Sequence, residues 1–362
     1  MSKILVTGAG GAVGRQIIKY FGARNSIGEY QSDEVKATDL PGNWVNNIDY
    51  SDGIETVTME LAKAGPMGIQ SLTENVDQII HTAAIVDIST PWDKLKTINV
   101  EVTARLARQA FEQGAFFTFI SSGSIYKSRD SIITENAALE PTSPYERSKV
   151  EAENEIHRIA RQYNGKYAIL RPALIYGPGC KFLGAALAAI PPLVKLVSKN
   201  EAIGFTGGPK TNWVHCRDVA CAAIFISERK KEGTFNVADD TRFGFGEAIT
   251  LHLKAYGLKV KRTIPLPTPA MLRLGRPLLS NEHVWSLANK PIGLVWSLFA
   301  RSKNLEKGLD VQINKEMAPY LFNDTIFAND RIKNAGFSFW YKNIGMGVDE
   351  TMRWYKGNHW IC

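Results

Sequence analysis

The chain has 362 residues, 44% of them hydrophobic, enough apolar mass for one large or two modest domains of ordinary globular type. Its net charge of +7 suits nucleic acid, an anionic cofactor or a membrane surface, but with no K/R-rich arm and no recognisable binding module, nucleic acid is not an expected partner. The apolar stretches 182–194 and 291–300 fall well short of the roughly 20 residues a spanning helix needs, which excludes an unaided crossing by either.

The first residues pass from a lysine straight into a strand-like run with no small-residue cleavage site, so no secretory signal is expected. Cys180, Cys216, Cys221 and Cys362 show no paired spacing and no C-x-x-C, which points to a reducing, cytoplasmic setting and to no metal. Between Glu247 and Glu282 there is no acidic residue, while Lys254, Lys259, Lys261, Arg262, Arg273 and Arg276 all fall there. Peripheral contact with an anionic membrane through this basic C-terminal third is therefore an expectation.

In chain order, residues 3–8, 34–39, 77–84, 116–122 and 167–173 read as strands: they are β-branched or aromatic and end at polar or small residues. Amphipathic helical patterns over 99–114 and 145–163 lie between them. The alternation predicts an α/β fold, a doubly wound parallel sheet with ligands at the carboxyl ends of its strands. Residues 1–177 should form this sheet domain, rejoined by about 211–238. Pro191-Pro192, then "PLPTP" at 265–269, Pro277 and Pro291 should break 178–210 and 239–362 into a smaller, mostly helical substrate domain.

"TGAGGAVG" (7–14) follows the first strand and opens a helix. Its glycines supply a tight turn, close approach of backbone to a pyrophosphate, and close packing of helix on sheet. Asp39, 25 residues beyond Gly14 at the end of the second strand, can accept hydrogen bonds from ribose hydroxyls and repels a 2′-phosphate, so NAD is favoured over NADP. Arg15, beside the loop, is a group that could offset that repulsion.

Tyr145 and Lys149 stand at i and i+4 on one helical face. A free phenol, with pKa about 10, is a poor base at neutral pH, and a nearby ammonium favours the phenolate. Ser121 and Ser122 arrive at the carboxyl end of the 116–122 strand, where Ser122 can hold a substrate oxygen while Tyr145 moves its proton.

These residues, with "IIHTAA", "FISSGSIY", "LRPALIYGPG", "NWVHCRDVACA" and the ending "NAGFSFW…MRWY" in order, resemble the extended short-chain dehydrogenase/reductase family over nearly the whole chain. The resemblance implies that residues 1–177 are an NAD-binding Rossmann domain and that Ser122, Tyr145 and Lys149 are the catalytic set. It also implies a cofactor site of Gly8, Gly10, Gly11, Ala12, Val13, Gly14, Asp39, Asp49, Ala83, Ala84, Asn99, Tyr145, Lys149 and Pro172, and a homodimer paired through helices at 91–113 and 145–163. His81 reads as a buried strand histidine.

Within the family, "IIHTAAIVDIS" (79–89) is most similar to the 3β-hydroxysteroid dehydrogenases and the sterol-4-carboxylate dehydrogenases, which implies a hydrophobic substrate. Lys127 departs from the glycine usual there. A nucleotide-sugar epimerase, dehydratase or reductase is the alternative on the same scaffold, and a non-catalytic cofactor-binding protein is a third reading.

Overall fold

The computed structural model describes residues 2–27, 33–43, 54–87, 90–127, 132–181, 183–198, 200–268, 271, 282–306, 309 and 323–362. The chain runs through β1 (Lys3–Thr7), α1 (Ala12–Ile27), β2 (Glu34–Asp39), β3 (Ile54–Thr58), α2 (Pro66–Thr73), β4 (Gln78–His81) and α3 (Trp92–Leu95). A π-helical turn (Lys96–Glu101) leads to α4 (Val102–Glu112), β5 (Phe116–Ile120), α5 (Pro144–Tyr163), β6 (Tyr167–Pro172) and β7 (Leu174–Tyr176). There follow α6 (Leu183–Val197), β8 (Glu201–Gly207), β9 (Trp213–His215), α7 (Cys216–Glu228), β10 (Gly233–Val237) and α8 (Phe245–Tyr256). The last elements are β11 (Lys259–Leu266), α9 (Glu282–Ser302), α10 (Asp330–Asn334) and α11 (Ile344–Gly357).

Seven parallel strands form the main sheet in the order β10-β6-β5-β4-β1-β2-β3. Successive side chains of a strand face opposite sides, and here both sides are apolar, as a sheet covered twice requires. Ile4, Val6, Ile80 and Leu170 pack with Ile17, Phe21, Val219 and Ala223 of α1 and α7. Leu5, Ile79, Phe117, Phe119 and Ile169 face Leu106, Ala110, Ala152 and Ile156 of α4 and α5. The strand order reverses beside β1, between β2 and β4, so the glycine loop opens at a crevice on the carboxyl edge.

The C-terminal part has its own core, in which Leu253, Tyr256, Trp296, Phe299, Met352 and Tyr355 join α8, α9 and α11. A parallel pair, β8 with β11, lies beside it. Four of the prolines do not break the chain as their spacing suggests, while Pro269 and Pro277 lie outside the described residues. Pro191 and Pro192 lie inside α6 and Pro291 inside α9, and Pro265 pairs with Thr206 within β11. Tertiary packing holds these helices together around residues that lack an N–H, and a two-stranded sheet has only edges, where proline is tolerated. Strands β3, β8 and β11 are further elements that the alternation of apolar runs does not reveal.

Helix α5 is tied to the sheet by a buried ion pair. Arg171 of β6 donates Nε and Nη2 to the carboxylate of Glu153 at 3.0 and 2.6 Å, and Ser121 adds its hydroxyl at 2.5 Å. The side chains are 6% and 2% exposed. Breaking such a pair by removing one member leaves an uncompensated buried charge. Arg171→Met should therefore lower the unfolding free energy in a denaturant titration by about 3–5 kcal/mol; a loss below about 1 kcal/mol would show that the pair behaves as a surface contact.

Candidate active site

The glycine loop leaves bare backbone where a side chain would intrude. Gly8 has φ +71°, and an added Cβ would stand 2.6 Å from Ala83 N at Gly8, 2.5 Å from Asn43 O at Gly10 and 2.1 Å from Gly8 O at Gly14. Gly11 N donates to Gly8 O at 3.0 Å, closing the turn from which α1 starts at Ala12 and Val13. Open backbone at a helix N-terminus favours a bound phosphate, so the loop fits a dinucleotide.

Asp39 is joined to the loop. Its Oδ2 accepts from Gly10 N at 2.8 Å, and its Oδ1 accepts from Leu40 N at 2.6 Å and Asn43 Nδ2 at 2.8 Å. A carboxylate has about four acceptor positions, so one remains for a ribose hydroxyl. Arg15 Nε donates to Gly10 O at 2.6 Å. Asp49 lies outside the described residues.

Ala83 and Ala84, half-buried, follow β4 directly. Asn99, in the π turn, is 1% exposed; its amide bonds Ile85 N and O at 2.8 and 2.9 Å and Ser148 Oγ at 2.9 Å, so it ties the Ala83–Ile85 segment to α5. Pro172 ends β6, with its carbonyl against Gly123. His81 is buried between Thr7 and Thr103 hydroxyls at 2.6 and 2.9 Å, and burial pushes its pKa down to about 3, which fits a neutral structural histidine. Lys127 is exposed and pairs with Glu140 at 2.6 Å.

The sheet edge brings Ser122, Tyr145 and Lys149 together. Ser122 stands beside the phenol of Tyr145, which sits in the first turn of α5, close enough to favour its charged form. Lys149, 3% exposed, donates from Nζ to Ile120 O at 2.9 Å and lies 6.0 Å from the Tyr145 ring centre. The shifts oppose the simple expectation of a phenol lowered by its lysine. Burial pushes Tyr145 up to about 12, only partly offset by nearby Ser122. Burial also pushes Lys149 down to about 8, with the Glu153 carboxylate acting the other way. In this geometry the ammonium faces the Ile120 carbonyl and the Phe119 ring, and desolvation dominates the shift of the phenol.

Two neighbours escape the sequence reading. Ser124 Oγ lies 2.9 Å from Ser122 Oγ, and Glu146, next to the tyrosine, accepts from Thr142 N and Oγ1 at 2.7 and 2.9 Å. Glu146 also forms a capping box with Ser143. The S-x-x-E spacing of Ser143 and Glu146 is the signal that would have found it.

Residues 4–238 match the NAD dependent epimerase/dehydratase family. The chain belongs to that family. It is 26% identical over 264 residues to the dTDP-4-dehydro-6-deoxyglucose reductase of Escherichia coli, covering 68% of this chain and 78% of that protein. An uncharacterized UDP-glucose epimerase of Bacillus subtilis is 31% identical over 115 residues, 30% of this chain and 36% of the relative's length. The fold is similar to that of the UDP-Glc/GlcNAc 4-epimerase of Campylobacter jejuni, with TM-score 0.70 and 17% identity over 99% of this chain and 100% of that one.

Lys149 has a pH signature. Its ordinary pKa of 10.5 falls to about 8 on folding, so between those values the unfolded chain holds the extra proton and stability rises with pH. The unfolding free energy of the native protein minus that of Lys149→Met should climb from about pH 8 to 10.5. A flat difference would mean the ammonium reaches water.

Proposed function

We propose that this chain is an NAD-dependent oxidoreductase interconverting a secondary alcohol and a ketone, and that its substrate is a nucleotide-linked sugar. The observation that carries the chemistry is the contact of Ser122 with Tyr145 beside buried Lys149, on the edge where the glycine loop opens. Gly8, Gly10, Gly11, Ala12, Val13 and Gly14 take the pyrophosphate, Asp39 takes a ribose, and Ala83, Ala84 and Pro172 line the rest of the cofactor site. When bound, NAD would supply the redox equivalent. Ser122 orients the substrate oxygen, and Tyr145 takes or returns that oxygen's proton. The names of the relatives support the sugar, and the basic run around Lys254, Lys259, Lys261 and Arg262 supplies charge of the sign a diphosphate needs.

A second reading, a hydrophobic alcohol of the sterol class, is favoured by one feature of α9. Trp296 and Phe299 face the core, yet Leu294, Val295 and Leu298 are exposed, with Arg301 and Lys303 following. An apolar face beside basic residues suits an anionic lipid surface from which such a substrate is drawn. No helix among the described residues is long and apolar enough to cross a membrane. Pairing of two copies through α4 and α5 belongs to the same proposal.

Tyr145→Phe should lose about 10²–10⁴-fold in kcat while still binding NAD, and full activity would overturn the assignment. The substrate class is decided by NAD-linked turnover on a panel of UDP- and dTDP-sugars set beside 3β-hydroxysterols with and without a 4-carboxylate. Turnover with sugars alone supports the first reading, and sterol turnover replaces it with the second. The second reading also expects sedimentation with anionic vesicles at low salt, lost in Leu298→Glu.

A further inference from the structure

A closed circuit of hydrogen bonds surrounds the base of the cofactor crevice. Thr7 Oγ1, at the end of β1, meets His81 Nδ1 at 2.6 Å, and His81 Nε2 meets Thr103 Oγ1 of α4 at 2.9 Å. Thr103 Oγ1 donates to Asn99 O at 2.7 Å, and the Asn99 amide holds Ile85 by its N and O at 2.8 and 2.9 Å. From Ile85 the chain returns through Ala84 and Ala83 to Thr82, whose N and Oγ1 donate to Thr7 O at 3.1 and 2.8 Å. We propose that His81, in the tautomer with its proton on Nε2, is a positioning residue that sets the Ala83–Ile85 wall of the cofactor site against the glycine loop. The inference rests on the reading of Ala83 and Ala84 as lining that site.

Counting hydrogens assigns the tautomer. A threonine hydroxyl has one hydrogen, and Thr103 uses its own on Asn99 O, an atom that can only accept. Thr103 therefore receives from His81, which puts the ring proton on Nε2. A neutral imidazole then accepts at Nδ1, so Thr7 is the donor there. With the proton on Nδ1 instead, Nε2 and Thr103 Oγ1 would face each other at 2.9 Å with a lone pair each, and the circuit would break. Burial, and after it the charge of Lys149, pushes the pKa of the ring down to about 3, so it stays neutral at physiological pH.

The circuit spans two walls that a bound dinucleotide would touch. Gly8 comes so close to the facing segment that a Cβ there would stand 2.6 Å from Ala83 N, so a small shift of either wall changes the crevice between them. The imidazole is fully buried, with the Phe117 and Phe119 ring centres at 5.9 and 5.7 Å, and packing alone would favour an apolar ring there. Its nitrogens instead reach two different elements, β1 on one side and α4 on the other. Thr103 grips the carbonyl of Asn99, the same residue whose side chain clamps Ile85, so position passes through a single residue. Asn99 lies in the π-helical turn, a geometry that recurs at functional sites.

In protein carrying isotopically labelled histidine, the two-bond proton–nitrogen pattern of His81, identified by its loss in His81→Asn, should show a neutral ring protonated on Nε2. A ring protonated on Nδ1, or on both nitrogens, overturns the proposal. Thr103→Val keeps the shape and removes the hydroxyl, and it should weaken NAD binding, read by calorimetry with the cofactor alone, by about tenfold, because a wall no longer preset must be ordered on binding. Thr103→Ser keeps the hydroxyl and should bind NAD as the native protein does. Native affinity in Thr103→Val overturns the proposal. Equal weakening in both variants also overturns it, since the effect would then come from packing of the methyl group. If Thr103→Val does not fold, His81→Asn, which can still accept from Thr7 but falls short of Thr103, carries the same expectation, and native affinity there is equally fatal. A native protein that bound no NAD would instead sink the reading of the cofactor site, while the spectrum would still decide the tautomer.

Discussion

The site depends on one buried interaction, the fork of Arg171 on Glu153. Two charges taken out of water gain little net stability over an apolar pair of similar size, so the contact is better understood through what it positions. Arg171 stands on β6, Glu153 on α5, and Ser121, which also donates to Glu153, directly precedes Ser122. The pair thus sets the height of α5 against two strand ends. Lys149 lies one helical turn before Glu153, and Tyr145 one turn before Lys149, so one anchor aligns the whole face. Because helical side chains lean toward the N-terminus, the phenol is carried to the carboxyl edge of the sheet, over Ser122.

That anchor also shapes the electrostatics. Burial penalises charge on both Tyr145 and Lys149, and Glu153 is the nearby carboxylate that helps keep the lysine charged. The protein therefore holds a phenol pushed up to about 12 and an ammonium pushed down to about 8, two groups driven apart by burial, rather than a phenol already lowered by its neighbour. Burial thus favours the neutral form of each, and the phenol keeps its proton at neutral pH.

The parts legible in the sequence are those whose physics is local. The strands β1, β2, β4, β5 and β6 are apolar because both faces of a parallel sheet are covered. The glycine loop shows because no other residue fits its contacts, and the i, i+4 spacing of Tyr145 and Lys149 shows because a helix has one period. What stays hidden is set by tertiary context. β3, "IETVT", sits at the edge of the sheet with Glu55, Thr56 and Thr58 exposed and only Ile54 and Val57 partly buried, and too little of it is apolar to stand out. Pro191, Pro192 and Pro291 look like breaks because a lone helix would fail there, whereas packing in the C-terminal part carries α6 and α9 through. Asp39 was read as a ribose ligand, and its bonds to Gly10 and Asn43 add a structural duty that only the fold reveals.

Glu146 shows how a local motif also fixes the geometry of the site. In sequence, Ser143 and Glu146 signal only a helix start, and the capping box alone accounts for a glutamate there. Its reciprocal bonds hold the carboxylate at a set place relative to the first turn of α5, the turn that carries Tyr145. Each of these bonds needs its donor and acceptor aligned, so the cap that starts the helix also sets how the chain enters the turn that bears the phenol.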